Sequence, residues 1–278
     1  MSTMARVSRK HVCPVCKHGD WCLVGKTVII CMRTPSDRTK TFADGSVGWL
    51  HRLDGQPLPE FKPRKSEVVN KPAINMDTLW GRWYLRTQHQ NRVDMAKDLG
   101  VTLKSMELIG AAQRDPLTWA FPMRDASNRV CGIRLRDHRG NKWAVVGSKQ
   151  GLFIPQCDPE PVVFIPEGPT NTAAVLSMGR YAVGRPSANG AVLVAAEAVR
   201  RLGCKRAVIV ADTDPDRVRP NGSVFNPGSE GADLLASHLK VDNCTLLLPC
   251  KDMRDFVKGG GDAATLDYMV KQCIWRKP

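Results

Sequence analysis

The sequence lacks several things, and each lack removes a class of function. Nowhere are there eighteen consecutive apolar residues, so no membrane-spanning helix and no membrane partner are expected. The opening MSTMARVSRKHV is too polar to act as a secretory leader, which points to a soluble, cytoplasmic protein. Aromatic residues make up only 6% of the chain, and just three are tyrosines. Strand breakage through a tyrosine nucleophile needs that residue inside a dedicated cleavage domain, and no such domain surrounds any of the three. A phosphate-binding loop is missing too. Residues 19–27 end in GKT, but Gly19 and Gly25 stand one residue too far apart for GxxxxGK[ST], and the segment reads as a hairpin. An ATPase is excluded, and nothing resembles a helicase motor.

Acidic residues are in short supply: 27 Asp and Glu against 41 Lys and Arg, a net charge of +14 over 278 residues. The excess is uneven. Residues 1–75 carry +7, residues 76–150 carry +6, and residues 151–278 only +1. A polyanion held by the first 150 residues and presented to the more acidic remainder fits this asymmetry.

The chain holds ten cysteines, and four of them (Cys13, Cys16, Cys22 and Cys31) fall in the first 31 residues. Such clustering suits a metal better than a disulfide framework. Cys13 and Cys16 form a CxxC knuckle whose two thiolates bind one zinc from a tight turn. Residues 23–30 read as a small hairpin that returns Cys31 to the knuckle. Cys22 is the expected fourth ligand, with His18 and His51 as alternatives.

Residues 57–72 (PLPEFKPRKSEVVNKP) contain four prolines and four basic residues, the composition of a basic linker. From residue 75 the pattern becomes helical, with Leu79, Trp80, Trp83 and Tyr84 at helix spacing. Two short helices joined around Gly100 follow. AKDLGVTLKS resembles a DNA-reading helix-turn-helix, although residues 102–108 carry little charge for a groove, and a helix pair packed on a sheet is the commoner origin of such a pattern. Residues 117–155 read as strands. There Ile133 and Leu135 are expected inward, with Arg134 and Arg136 on an outward basic face.

The second half is organised around two runs. Residues 162–165 (VVFI) read as a buried strand that ends at Pro166, Glu167 and Gly168, with a helix beginning near Thr170. Residues 207–210 read as a second strand, followed by Asp212, Asp214 and Asp216. Carboxyl ends of parallel strands line one crevice in an open α/β sheet, so Glu167 and the aspartates are expected at one sheet edge. Crowded carboxylates need a cation to offset their repulsion, and hard oxygen ligands suit Mg²⁺ or Mn²⁺. An amphipathic helix over 190–201 should cover the sheet. The polar, glycine-rich stretch 217–231 is long for an α/β connection. A third strand over 244–248 leads to Lys251, Asp252, Met253, Arg254 and Asp255.

The order strand–EG–helix, strand–DTDPD, strand–KDMRD resembles the TOPRIM (topoisomerase–primase) domain. By motif, Glu167 matches the glutamate of the first motif and Asp212 and Asp214 the DxD pair. Asp252 and Asp255 match the further acidic positions. One position departs from the pattern: Asn171 stands where primases often carry an aspartate. The strands upstream resemble the basic subdomain of bacterial-type replicative primases. Arg136 and Lys142 match that subdomain's basic residues by position, and GSKQGLF matches its turn. Arg134 and Lys149 join them on charge alone. Almost the whole chain is covered by the resemblance. It implies a mostly parallel α/β TOPRIM sheet over 158–278, preceded by a small α+β basic subdomain over 75–157. Upstream of these come a basic linker over 57–74 and a zinc-ribbon-like module over 1–56.

The activity implied is that of a compact phage or mobile-element DNA primase acting in a bacterial cell or phage-infected host. Such an enzyme polymerises ribonucleoside triphosphates on single-stranded DNA by two-metal nucleotidyl transfer, with structural zinc and catalytic Mg²⁺ or Mn²⁺. Glu167, Asp212 and Asp214 are the expected catalytic residues, and these three with Asp252 and Asp255 are the expected Mg²⁺ or Mn²⁺ ligands. Arg134, Arg136, Lys142 and Lys149 would contact template or nucleotide, and a separate replicative helicase would unwind the duplex. Two other readings stay open: a metal-dependent TOPRIM nuclease, and a non-catalytic zinc-containing DNA-binding protein.

Overall fold

A computed structural model describes residues 4–8, 10–42, 46–52, 74–218 and 223–278. The chain divides into two compact units, residues 1–74 with 217–225, and residues 75–216 with 226–278. The linker expected over 57–74 lies outside the described residues except for Ile74. No described helix is long and apolar enough to cross a membrane.

The first unit is built on short strands: β1 (Ala5–Arg6), β2 (Leu23–Val24), β3 (Val28–Cys31), β4 (Thr39–Thr41) and β5 (Val47–Arg52). They form an antiparallel sheet in the order β1-β2-β3-β5-β4. The hairpin expected over 23–30 is present as β2–β3, with Leu23 opposite Ile30. A buried cluster of Val7, Cys13, Cys22, Ile29 and Cys31 fills the interior beside the knuckle. Most of those side chains are thiols, so apolar burial alone contributes little there.

The second unit opens with α1 (Met76–Arg86), α2 (His89–Leu99) and α3 (Leu103–Leu108). Asn75 caps α1 by accepting from the Thr78 N–H at 3.0 Å. Gly100 ends α2 in the left-handed region at φ 70°, the turn expected between the two helices. The six-residue α3 packs rather than projects. Met106 is fully buried, and Ser177 accepts from the Thr102 N–H at 2.9 Å and donates to Ser105 Oγ at 3.0 Å. Packing on a neighbouring helix therefore explains this pair, and groove reading does not.

Next come β6 (Ala112–Asp115), β7 (Thr118–Arg124), β8 (Val130–Asp137) and β9 (Lys142–Ala144), an antiparallel sheet in chain order. One face carries Ala112, Ala120, Ile133 and Leu135, which pack on Met76, Leu79, Trp80, Trp83 and Tyr84 of α1. The inward assignment of Ile133 and Leu135 holds. The outward assignment of Arg134 and Arg136 needs correction: Arg134 is only 7% exposed and Arg136 is half-buried. Alternation shows which residues share a face, but not whether water or protein covers it.

The remaining elements are β10 (Val162–Ile165), α4 (Pro169–Ser177), α5 (Val192–Arg201) and β11 (Arg206–Ala211). The two-residue strands β12 (Arg217–Val218) and β13 (Val224–Phe225) pair with each other and belong to the first unit. The chain then returns as α6 (Pro227–Ala236), β14 (Asp242–Leu247), α7 (Met253–Lys258) and α8 (Ala263–Lys271). β10, β11 and β14 form a parallel sheet in that order. Residues 182–185 add a parallel ribbon beside β10 through bridges Phe164–Ala182 and Glu167–Arg185. Bridges Phe153–Gly184 and Arg124–Leu152 link that ribbon to the antiparallel sheet.

Helices cover both faces of the parallel sheet, and accordingly β10 and residues 207–211 of β11 are apolar throughout, while β14 also carries Asp242, Asn243 and Thr245. Val163, Ile165, Ala207 and Ile209 face α5 and α6, whereas Phe164, Val208, Val210 and Leu246 face α4, α7 and α8. At roughly 25 cal/mol per Å² of apolar surface, these two layers dominate the stability of the unit.

Candidate functional site

The acidic residues follow the strand ends because each strand stops at a local signal. β10 stops at Pro166. Gly168 takes φ 80° as the cap of α4, with Pro169 at the first helical position, so Glu167 is held in the turn between them. β11 ends at Ala211 and delivers Asp212 to the same edge. The loop after it is pinned from two sides. Thr213 N–H donates to Lys251 O at 2.9 Å, and Asn226 Nδ2 donates to Asp214 O at 2.6 Å. Gly228 lies so close to this loop that a Cβ there would sit 2.1 Å from the Asp212 carbonyl oxygen.

Asp212 is the electrostatic centre. Burial, followed by the charges of Glu167, Asp252 and Asp214, pushes its pKa up to about 8, against an opposing pull from Lys142. Asn171 is 4% exposed, and its Nδ2 lies 3.5 Å from Asp212 Oδ1. The Asn171 Oδ1 atom is buried without a hydrogen-bond partner. Asp252 caps α7: Oδ1 accepts from the Arg254 and Asp255 N–H groups at 3.0 Å each, and Oδ2 accepts from Arg254 Nη2 at 3.0 Å. Burial opposes its ionisation, but these bonds win and hold its pKa below the usual carboxylate range. Asp255 lies exposed on α7, where its charge acts on Cys250.

The basic residues meet the acids within the same unit. Trp119 pairs with Arg136, and Arg136 with Lys142, so the three stand in one row across β7, β8 and β9. Lys142 remains open to solvent, yet surrounding protein lowers its ammonium pKa. Glu167 opposes that shift, while Arg136, Arg134 and Arg254 reinforce it. Burial and then the Arg254 charge likewise lower the Arg136 pKa. A cavity of about 480 Å³ runs beside this row, lined among others by Asp94, Asp98, Trp119, Arg136, Arg254 and Lys258. Lys149 lies elsewhere. Its backbone bonds to Cys131 near the opposite end of β8.

Two residues were not singled out from the sequence. Arg254 sat inside the KDMRD run as an apparent spacer. Arg185 is 1% exposed beneath the acids, and no periodicity or motif marks it.

In the first unit, the Sγ atoms of Cys13, Cys16, Cys22 and Cys31 all lie within 4.8 Å of one another. They are the only such cluster of three or more ligating side chains among the described residues. Cys13, Cys22 and Cys31 are fully buried. Backbone N–H groups of Met32 and Thr34 point at Cys22 Sγ and Cys31 Sγ at 3.3 and 3.2 Å, which favours thiolates. Sharing protons with the Cys13 thiol pulls Cys16 down to about 6. Four thiols in a closed tetrahedral group, with amides aimed at the sulfurs, fit a structural zinc. Cys22 completes the set. His51 instead bonds Thr34 O through Nε2 at 2.8 Å, and His18 contributes its backbone carbonyl to the Cys13 N–H at 2.8 Å.

No family model matches the sequence, and no curated protein does either. Solved structures match in fold. The primase fragment of the bacteriophage T7 primase-helicase protein matches with a TM-score of 0.53 and 15% identity, covering 96% of this chain and 100% of that one. The E. coli primase catalytic core matches at 0.51 and 12% identity, over 72% of this chain and 79% of that one. The Aquifex aeolicus primase, with its zinc-binding and RNA polymerase domains, matches at 0.53 and 15%, over 72% and 60%. The architecture is thus mixed α/β with a four-cysteine cluster. More narrowly, it is the fold of DnaG-type primases.

Proposed function

We propose that this protein is a DNA primase that synthesises short RNA primers on single-stranded DNA, with β10, β11 and β14 as its TOPRIM sheet. The observation that carries this reading is the meeting of Glu167, Asp212 and Asp214 with the Trp119–Arg136–Lys142 row inside one compact unit. A polymerase joining a nucleoside triphosphate to a primer end needs acidic metal ligands beside cations for phosphate. The mutual electrostatic influence of Asp212 with Glu167, Asp214 and Lys142 supports that reading, although the carboxylate oxygens do not gather within 4.8 Å of one another as the four thiols do. Structures of similar fold have been solved with single-stranded DNA and with an RNA/DNA hybrid and dTTP.

The donor set fits a hard divalent cation. Burial, and then the crowding of like charges, raises the Asp212 pKa to about 8, and the buried Asn171 Oδ1 is unpartnered. Glu167, Asp212 and Asp214 would hold Mg²⁺ or Mn²⁺, which offset charge on the transferring phosphate and help ionise the primer 3′-hydroxyl. Lys142 and Arg136 orient the triphosphate. Asp252 fixes Arg254 beside Arg136, adding a cation where the nucleotide enters. Template phosphates would meet Arg136, Arg254 and Lys258 along the cavity. The zinc module grips the template near the start site, and a separate replicative helicase supplies single strands in the bacterial or phage-infected cell.

One incubation tests the reading. Purified protein is mixed with single-stranded DNA, Mg²⁺ or Mn²⁺ and labelled ribonucleotides. New oligonucleotides are expected. Shortened DNA would mean a nuclease built on the same carboxylates, and neither product would mean a DNA binder.

Salt dependence tests the basic row separately. Replacing Arg136 or Lys142 by alanine should reduce the log–log salt slope of single-strand binding by roughly 0.7 per lost phosphate contact. An unchanged slope with unchanged affinity would remove both from the template path.

A further inference from the structure

The acidic crevice contains a cation that the primase reading does not use. Arg185 is 1% exposed and lies beside the turn that carries Glu167. Its backbone flanks that residue on both sides: Arg185 N–H donates to Pro166 O at 2.8 Å, and Arg185 O accepts from Gly168 N–H at 2.7 Å. Its guanidinium reaches the other way. Nη1 donates to Ala188 O at 2.6 Å and to Gly231 O of α6 at 3.0 Å, while Nε is buried without a partner. An arginine cannot lose its proton inside a protein, so this is a permanent buried charge. The charges that offset it are those of Glu167 and Asp212.

Other groups reduce the negative charge of the crevice further. The Lys142 ammonium faces Glu167. Asp252 is neutralised by Arg254 at 3.0 Å, and both its oxygens are engaged. Asn171 places a neutral amide against Asp212. Glu167, Asp212 and Asp214 face two cations, Arg185 and Lys142, so that with all three carboxylates ionised about one net negative charge remains. Two or more carboxylate charges in excess are usual where a protein holds a divalent cation by itself, and tuning by ligand charge count is the general rule.

We propose that Arg185 is a positioning residue of this crevice: a fixed counter-charge that aligns Glu167 with the Asp212 loop and keeps divalent-cation affinity low until a triphosphate adds its own negative oxygens. Cation and nucleotide then bind with positive coupling, and the coupling is reciprocal. The same charge balance explains why an amide at position 171 is tolerated, since the nucleotide supplies the charge that a carboxylate there would have provided. This inference rests on the reading of the crevice as a metal-dependent nucleotidyl-transfer site.

The test measures Mn²⁺ retained by the zinc-loaded protein in equilibrium dialysis, with and without GTP and against a GTP-only control for the Mn²⁺–GTP complex, and needs no turnover. Wild type should bind Mn²⁺ weakly alone and at least about tenfold more tightly with saturating GTP, a coupling of about 1.4 kcal/mol. Arg185→Gln should tighten GTP-free binding at least about tenfold, because a unit charge several ångströms from a divalent cation is worth that much at an effective dielectric of about 20. Arg185→Lys, which keeps the charge, should stay near wild type. Asn171→Asp adds charge from the opposite side and should also tighten GTP-free binding.

Equal or weaker Mn²⁺ binding in a folded Arg185→Gln variant would overturn the proposal and leave Arg185 a packing residue. Should that variant not fold, an unchanged GTP-free affinity in Asn171→Asp overturns it instead. Failure of the primase reading looks different: wild type would then bind no Mn²⁺ in the crevice even with GTP.

Discussion

Asp212→Asn should reduce primer synthesis by about two to three orders of magnitude, as expected when one group that stabilises transition-state charge is removed. Folding and template binding should survive. Asp212 follows the end of β11, and the core is made by Ala207, Ile209 and Ala211 on one face and Val208 and Val210 on the other. Its side chain accepts from Asn171 Nδ2 at a long 3.5 Å, so little hydrogen-bond energy is lost.

The stability change has a sign that depends on pH. In the folded, metal-free protein the Asp212 pKa is raised to about 8, whereas the unfolded chain has an ordinary aspartate. The folded state therefore holds the proton more tightly. That contribution is fully present below the unfolded pKa and is lost as pH rises through about 8. An asparagine has no such loss. Above pH 8 and without divalent cations, Asp212→Asn should melt a few degrees higher than wild type; at pH 4 the two should coincide. Added Mg²⁺ should narrow or reverse the difference, because only wild type gains from the cation. Single-strand affinity should hold or improve, since one anion less faces the template. Near-normal primer synthesis by the variant would remove Asp212 from catalysis, and a collapse of its melting temperature would make it a structural residue.

The parts of this architecture that were legible in the sequence are those determined within a few residues. A β-branched run stopped by Pro166 and Gly168, or by the aspartates after Ala211, states both the strand and the edge at which its next residue emerges. The knuckle and hairpin were legible for the same reason: Cys22 and Cys31 bracket a turn short enough to bring their sulfurs together. What spacing could not give was the environment beyond each element. The alternation in β8 separated Ile133 and Leu135 from Arg134 and Arg136, yet Arg134 is buried and Arg136 half-buried on the second face, beside Arg254 more than a hundred residues along the chain. Residues 217–231 read as one long connection. In the structure, Arg217–Val218 and Val224–Phe225 pair as two short strands of the first unit, and Asn226 starts α6 early by capping it, with Ser229 N–H donating at 3.1 Å. Arg185 gave no signal, because a buried cation is recognisable only once the carboxylates around it are placed. Asp252 looked like one more acid in a run. Its role as the cap of α7 and partner of Arg254 needs the three-residue geometry of a helix start.

Removing the zinc should unfold the first unit and leave the second standing. The apolar residues Val7 and Ile29 share their buried cluster with Cys13, Cys22 and Cys31, and beyond them the described small sheet buries only a few large apolar side chains, such as Trp21, Ile30 and Trp49. An interior of that size cannot offset the entropy of ordering β1 to β5, which would cost on the order of 1–2 kcal/mol per residue for the backbone alone. A structural zinc in such a module contributes roughly 10–16 kcal/mol of apparent binding free energy at neutral pH, and that energy is folding energy. Wild-type protein should therefore carry about one zinc per chain. Cys22→Ala should lose it, since neither His18 nor His51 is placed to take over. In Cys22→Ala, or after chelation, amide exchange over β2, β3 and β5 should rise towards unfolded rates. The second unit has its own core around β10, β11 and β14, so its exchange protection and melting should change little. Acid should act as chelation does, because the thiolates must be reprotonated for the metal to leave, and zinc release should follow falling pH. Primer synthesis from an annealed primer should survive loss of zinc better than initiation on bare template, if the module grips the template at its start. Full zinc retention in Cys22→Ala would move the fourth ligand elsewhere. Unchanged exchange in the metal-free protein would show that the sheet stands without it.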